Sequence, residues 1–235
     1  MLQTIDLTKR YEDGVLALDH LNLTVSGGEL FALLGANGAG KTTTINLVLG
    51  FIDPTEGTAV IDGVDVVENP LESKERVAFL PENVTLYGNL TGLQNLHFFA
   101  RLAGKRCTRD EYAMALRRVG LPERSFGMRV RTYSKGMRQR LGIAAVLVKD
   151  APVVVMDEPT SGLDPAGAAD FCDLLMEMRD AGKAVFISTH DIFRAREIAD
   201  RVGIMKEGHL VMVRDREELK SEDLERIYLD YMRAA

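Results

Sequence analysis

Gly35-Ala36-Asn37-Gly38-Ala39-Gly40-Lys41-Thr42-Thr43 is the stretch whose residue types and spacing are most clearly suited to chemistry. It fits G-x-x-x-x-G-K-[ST], the pattern of a loop that wraps phosphate. Glycines let consecutive backbone N–H groups turn inward around an anion with no Cβ in the way. A helix opening at the end of the loop adds the positive end of its dipole. Lys41 brings a flexible point charge suited to β- and γ-phosphates, which places it among the catalytic candidates. The Thr42 hydroxyl is the expected ligand of Mg²⁺. The loop implies a nucleoside triphosphate and by itself leaves the use of that nucleotide open.

A second group of residues bears on the same chemistry. Val153-Val154-Val155-Met156 is a continuous apolar run, as a central parallel strand requires, and it leads into Asp157-Glu158. Two adjacent carboxylates at the exit of a buried strand are costly unless a cation meets them, and MgATP brings one. Asp157 is expected near Mg²⁺, through water, and Glu158 as the general base that polarises the attacking water. Tyr11, in a connection near the start of the chain, is a candidate for stacking on the nucleotide base.

The elements that must hold these groups are legible as periodicity and punctuation. Leu30 to Leu34 reads as a buried strand before the loop, and Thr42 to Leu49 as a helix after it. Residues 2–7 and 18–25 alternate as strands, with Asp13-Gly14 marking a turn, so a small antiparallel layer is predicted. Thr58 to Ile61 and Val77 to Leu80 are short strands, the second followed by Pro81-Glu82. From Thr91 to Leu147 the pattern turns helical. Thr91 with Gln94, and Thr108 with Glu111, fit capping boxes, and Ser134 opens a third helix carrying Leu141, Ala144, Ala145 and Val148. This helical block is inserted between strands, with joints near Glu82 and Lys149, and its apolar residues predict a small core of its own.

The strand signal then returns. Asp164-Pro165 heads a helix, Asp as cap and Pro at the first position, with Phe171, Leu174, Leu175 and Met178 on one buried face. Ala184 to Ser188 is a strand and Ile192 to Ala199 a helix. Val202 to Met205 and Leu210 to Val213 close around Glu207-Gly208, and Ser221 is expected to cap a last helix with Leu224, Ile227, Tyr228 and Tyr231 on one face. Strands alternating with helices predict a mainly parallel α/β sheet with its sites at strand C-terminal ends.

Bulk properties narrow the class. The chain has 235 residues, enough for one large domain or one domain with an insertion. Its net charge is -6 and no basic stripe dominates, so no nucleic-acid partner is expected. A local basic cluster, Arg129, Arg131, Lys135, Arg138 and Arg140, is the exception. The two cysteines, Cys107 and Cys172, lack metal-site spacing and fit a reducing compartment. No apolar run approaches the roughly 18 residues of a membrane span, and the first residues do not read as a secretory signal. Action at a membrane would require another chain to supply the spans.

Together these motifs resemble the ATP-binding cassette (ABC) ATPases, the nucleotide-binding subunits of ABC transporters. The likeness runs from residue 2 to about 215. Gly35–Thr43 corresponds to Walker A and Val153–Glu158 to Walker B. Tyr133-Ser134-Lys135-Gly136-Met137 corresponds to the family signature, Ser161-Gly162-Leu163-Asp164 to the D-loop, and His190 to the switch histidine that contacts the γ-phosphate. The implied fold is α/β: a P-loop NTPase fold with a mainly parallel sheet, an N-terminal antiparallel β-layer and an inserted helical subdomain. The implied domains are an ATPase domain over 1–217, with the helical subdomain at about 83–149, and a helical tail over 218–235.

Ser134 and Gly136 make a second anion-binding helix end, far along the chain from the phosphate loop. The resemblance implies that Ser134, Lys135, Gly136 and Met137 address the ATP of a second nucleotide-binding subunit. Two ATP molecules would be held between two head-to-tail cassettes, in a homodimer or heterodimer, with Asp164 reaching across the interface, capping its helix, or both. The dimer would drive a separate transmembrane permease from the cytoplasmic side, peripheral on the inner face of the cell membrane. Two departures from the family pattern stand out. Glu82 replaces the usual Gln, so its expected place beside Mg²⁺ sets a carboxylate against the γ-phosphate. The Tyr-Ser-Lys-Gly-Met signature, with Leu80-Pro81-Glu82, is similar to cassettes serving ABC-2-type exporters. A soluble ABC ATPase of an iron–sulfur assembly system, and an importer cassette, are the alternatives.

Overall fold

The computed structural model describes residues 1–221 and 224–233. In chain order, β1 (Leu2–Arg10), β2 (Leu16–Val25) and β3 (Glu29–Leu34) precede α1 (Lys41–Val48). Then come β4 (Glu56–Ile61), β5 (Val64–Asp65), α2 (Pro70–Glu75) and β6 (Val77–Leu80). The helical block holds α3 (Gly92–Leu102), α4 (Arg109–Arg118), two short 3₁₀ turns and α5 (Lys135–Lys149). After it follow β7 (Val153–Asp157), α6 (Pro165–Asp180), β8 (Ala184–Thr189), α7 (Ile192–Ile198), β9 (Arg201–Lys206), β10 (His209–Asp215), α8 (Arg216–Ser221) and α9 (Leu224–Arg233). Sequence periodicity did not register β5 or α2. A two-residue strand and a six-residue helix are too short to express a period.

Two sheets organise the chain. A four-stranded antiparallel sheet runs β2-β1-β4-β5, and a six-stranded sheet runs β10-β9-β3-β8-β7-β6. Within the larger sheet β9, β3, β8, β7 and β6 are parallel, and β10 returns antiparallel on β9. Its central strands are apolar throughout because both faces are covered. Leu30, Ala32, Leu34, Val154, Met156, Val185 and Ile187 face α5, α6 and α7. Phe31, Leu33, Val153, Val155 and Phe186 face α1 and the antiparallel sheet.

The helical block has its own core of Leu96, Ala100, Tyr112, Leu116, Leu121, Phe126, Val130, Tyr133, Leu141 and Ala144. That core is only part of what holds it. Ile143 and Val146 of α5 turn the other way, into the main core, so one helix belongs to both. Both capping boxes are present, Thr91 with Gln94 and Thr108 with Glu111. Asn95, fully buried, bonds Tyr87 N–H, Tyr87 O and Thr91 O, tying the segment before α3 to that helix.

Asp164 occupies the N-cap position of α6, with Pro165 in the first turn, but its carboxylate makes no capping bond. It accepts instead from Arg140 at 3.4 Å. In the tail, Leu219 and Leu224 are buried in the main core, with Ile227, Tyr228 and Tyr231 packed against it. The Ser221 side chain, an expected cap, lies outside the described residues.

Candidate active site

The phosphate loop joins β3 to α1. Gly38 and Gly40 have φ of 81° and 108°, a region side chains disfavour, and Gly40 also has no room for one. A Cβ on Gly40 would meet Ala17 O at 2.6 Å, and one on Gly35 would meet Met205 O at 2.6 Å. Gly40 is the N-cap of α1 and brings no side chain to bond the first-turn N–H groups. Those donors remain for a ligand. Ala36, Asn37 and Gly38 are exposed at the rim, whereas Ala39 is buried beneath it.

Lys41 folds back under the loop. Its Nζ donates to Gly35 O at 2.6 Å and Ala36 O at 3.2 Å, and the residue is only 7% exposed. Burial lowers its pKa from the ordinary lysine value, and the charges of Glu158 and Asp157 pull it back up. The next residue, Thr42, is exposed. Thr43 Oγ1 lies 3.4 Å from the Tyr11 hydroxyl, and Lys9 sits over the Tyr11 ring at 5.5 Å. Tyr11 is thus brought beside the loop from β1's far end.

Sheet order assembles the rest. β8 lies between β3 and β7, so residues from three distant segments meet along one edge. In register, Leu34 pairs with Thr189 and Asp157 with Ser188. The buried Ser188 hydroxyl bonds Asp157 Oδ1. Glu158 has φ of 44°, in the left-handed region. Its N–H donates to Ser188 O at 3.1 Å. His190 Nδ1 lies 2.9 Å from Glu158 Oε2, with the histidine side chain 75% exposed and the glutamate 14%. Ser188 escaped the sequence reading. Its one signal was a hydroxyl in a strand otherwise apolar up to its end.

Ser134 caps α5, its Oγ accepting from Met137 N–H at 3.2 Å. Buried Tyr133, just before it, donates to Ser125 O at 2.6 Å. The basic residues here are spent within the chain. Lys135 Nζ donates to Ser161 Oγ at 3.0 Å, Arg138 bonds Tyr133 O at 2.6 Å, and Arg140 bonds Gly120 O and Asp164. A Cβ on Gly136 would stand 3.0 Å from Gly162 O, so the bare turn lies directly against the 161–164 segment. Glu82 is exposed and faces a cavity of about 180 Å³ shared with Lys135, Arg138 and Gln139. Among the described residues no group of three or more His, Cys, Asp and Glu is placed to hold a metal without help from a ligand.

The ABC transporter family model matches residues 18–161. The chain belongs to the ABC transporter family. The cassette is 37% identical over 226 residues to the uncharacterized ABC transporter ATP-binding protein YhcH of Bacillus subtilis, covering 96% of this chain and 72% of that one. It is also 37% identical over 234 residues to the bacitracin transport ATP-binding protein BcrA of Bacillus licheniformis, covering 98% and 74%. Among solved structures it resembles an ATP-binding cassette in a dimeric post-hydrolysis state bound to ADP and Pi. There the TM-score is 0.85 and the identity 26%, over 92% of this chain and 99% of that one. The cassette is an ATP-binding P-loop ATPase, and its two sheets and inserted helices are those of the family fold.

Proposed function

We propose that the cassette powers a separate membrane permease by closing on a second cassette around ATP and reopening after hydrolysis. The observation that carries this reading is the Glu158–His190 contact at the sheet edge beside the phosphate loop. A carboxylate aimed by a histidine is suited to orient and deprotonate an attacking water. Lys41 and the unspent N–H groups of Gly35–Thr43 hold the phosphates, and Tyr11 stacks on the base. Their chemistry fits Mg²⁺ as well, since the exposed Thr42 hydroxyl and the Asp157 carboxylate are hard oxygen ligands. The ion would neutralise charge on the β- and γ-phosphates.

Ser134, Lys135, Gly136 and Met137 present a capped helix end to the nucleotide of the second cassette, and His190 senses its γ-phosphate. Asp164 faces the same interface. Glu82 is better suited to the basic cavity beside Lys135 and Arg138 than to a second carboxylate position at the metal. The reading is tested by Glu158→Gln. That variant should bind ATP, stall hydrolysis and accumulate as a dimer on a sizing column; wild-type turnover would remove Glu158 as base.

The permease docks in our reading on the groove between sheet and helical block. There a cavity of about 440 Å³ is lined by Phe51, Phe79, Phe99 and Leu102, with Lys74 and Lys149 at hand. No helix among the described residues is long and apolar enough to cross a membrane, so the spans would come from that partner. The cassette then works in the cytoplasm, on the inner face of the cell membrane. Export is favoured by the Tyr133–Met137 signature, and the bacitracin transport relative fits that choice. Leu102→Glu should retain ATP turnover but lose a co-purifying multi-span protein from detergent-solubilised membranes.

A further inference from the structure

Glu158 stands in a costly backbone conformation. Its φ of 44° is unusual for any residue with a side chain, and the following Pro159 disfavours it further. Such a conformation persists only where its surroundings over-determine it. Three bonds do so. The Glu158 N–H donates to Ser188 O at 3.1 Å, and the Glu158 carbonyl accepts from Ser161 N–H at 3.0 Å. The third comes from the helical block: Gln139 Nε2 donates to Pro159 O at 2.9 Å. A carbonyl oxygen can only accept, so the amide nitrogen is the atom that faces it. Gln139 is 1% exposed. The Glu158 N–H also lies 3.4 Å from Ser188 Oγ, so Gln139 is the side-chain restraint that the helical block supplies.

Gln139 does not act alone on its flank of α5. One turn earlier Lys135 reaches Ser161 Oγ at 3.0 Å, and its stem lies where a Cβ on Gly162 would meet it at 2.8 Å. One residue later Arg140 reaches Asp164. The whole 159–164 segment therefore lies along the first turns of the helix whose N-terminus is Ser134.

We propose that Gln139 is a positioning residue for hydrolysis: through Pro159 it fixes the backbone of Glu158 to the signature helix, so that displacement of that helix resets the base. This rests on Glu158 as the base. A partner engaging Ser134 and Gly136 acts on the same rigid helix that holds the base, with no contact to Glu158 of its own. The base is in line only when α5 is seated.

The test uses the purified full chain, with kcat and ATP affinity measured separately. Gln139→Leu keeps the bulk and removes the donor. It is expected to lower kcat roughly tenfold to a hundredfold with ATP affinity unchanged. Gln139→Glu sets an acceptor against the Pro159 carbonyl when ionised and supplies an O–H donor when protonated. The charged groups around it are Glu82, Lys135 and Arg138 on the cavity, with Glu158 beside its acceptor. Burial and the two glutamates raise its pKa; the cations lower it. Its kcat, as a ratio to wild type at each pH, should recover as pH falls from about 8 toward about 5.5. That ratio cancels the pH effects that both chains share. Wild-type kcat in Gln139→Leu, or a pH-independent deficit in Gln139→Glu, overturns the proposal. If Gln139→Leu does not fold, Gln139→Glu carries the test by itself. Wild-type turnover in Glu158→Gln would instead remove the base assignment, whatever Gln139 does.

Discussion

The glycine-bearing N-termini of α1 and α5 are built differently. At α1 the loop is backbone throughout. Gly40 caps without a side chain, the donors stay open, and Lys41 is buried beneath on two carbonyls of the same loop. At α5 the cap is a hydroxyl on the surface, one donor is already spent on Ser134, and the neighbouring cations are tied sideways to Ser161, Tyr133 and Asp164. The first end is a self-sufficient cradle. The second has the chemistry of an anion site and the fastenings of a joint. The comparison teaches that two helix N-termini with similar glycine chemistry can differ in how many of their donors and neighbouring cations the chain has already used.

The comparison can be broken first at the cradle. Lys41→Ala removes the cation buried under the loop, and ATP affinity should fall about a hundredfold or more, the loss of a charge-assisted contact to phosphate. Unchanged affinity by titration calorimetry would end the assignment. Next in size is Glu158→Gln, with kcat reduced about 10²- to 10⁴-fold, as loss of a general base predicts, and ATP binding intact.

The α5 end should respond differently. Ser134→Ala is expected to lower kcat about tenfold and weaken ATP-dependent dimerisation, while the affinity of a single chain for ATP stays within about twofold. Loss of the cap costs roughly 1 kcal/mol of stability, read as a melting temperature lower by about 2–4 °C. Equal loss of single-chain affinity would erase the difference between the two ends.

The smallest effect sharpens the account of Lys41 itself. Its folded pKa is lowered, so as pH rises the folded chain gives up that proton before the unfolded chain does. Between the lowered value and 10.5 the unfolded state binds more protons, and stability rises with pH. At neutral pH both states are charged and burial is a standing cost. Urea unfolding of nucleotide-free wild type minus Lys41→Met should show that rise across the window. A flat difference would mean that Lys41 does not carry it.

Much of the local geometry around the candidate site was legible before the structure because its signals are local. A G-x-x-x-x-G-K-T spacing dictates a turn and a helix start within nine residues. Thr91 with Gln94 and Thr108 with Glu111 likewise bond within a single turn, and both boxes formed. Asp164 shows the limit. Its position before Pro165 marked the helix start correctly, yet Arg140, 24 residues earlier, took the carboxylate that local reasoning assigned to the cap. β5 and α2 fell below the length at which periodicity speaks.

By itself the sequence determined the chemistry of each part: a phosphate-wrapping loop, a carboxylate pair at a strand end, a capped helix start, and strands apolar enough to be buried on both faces. Tertiary structure alone decided which parts meet. β8 between β3 and β7 brings Ser188 and His190 to Asp157 and Glu158, across 31 residues in the case of Ser188 and Asp157. The fold of α5 across two cores brings Gln139 to Pro159. The reason is one of range. Capping and turn preferences act over a few bonds, whereas strand order follows from burying both faces of a sheet at once, a condition on the whole chain.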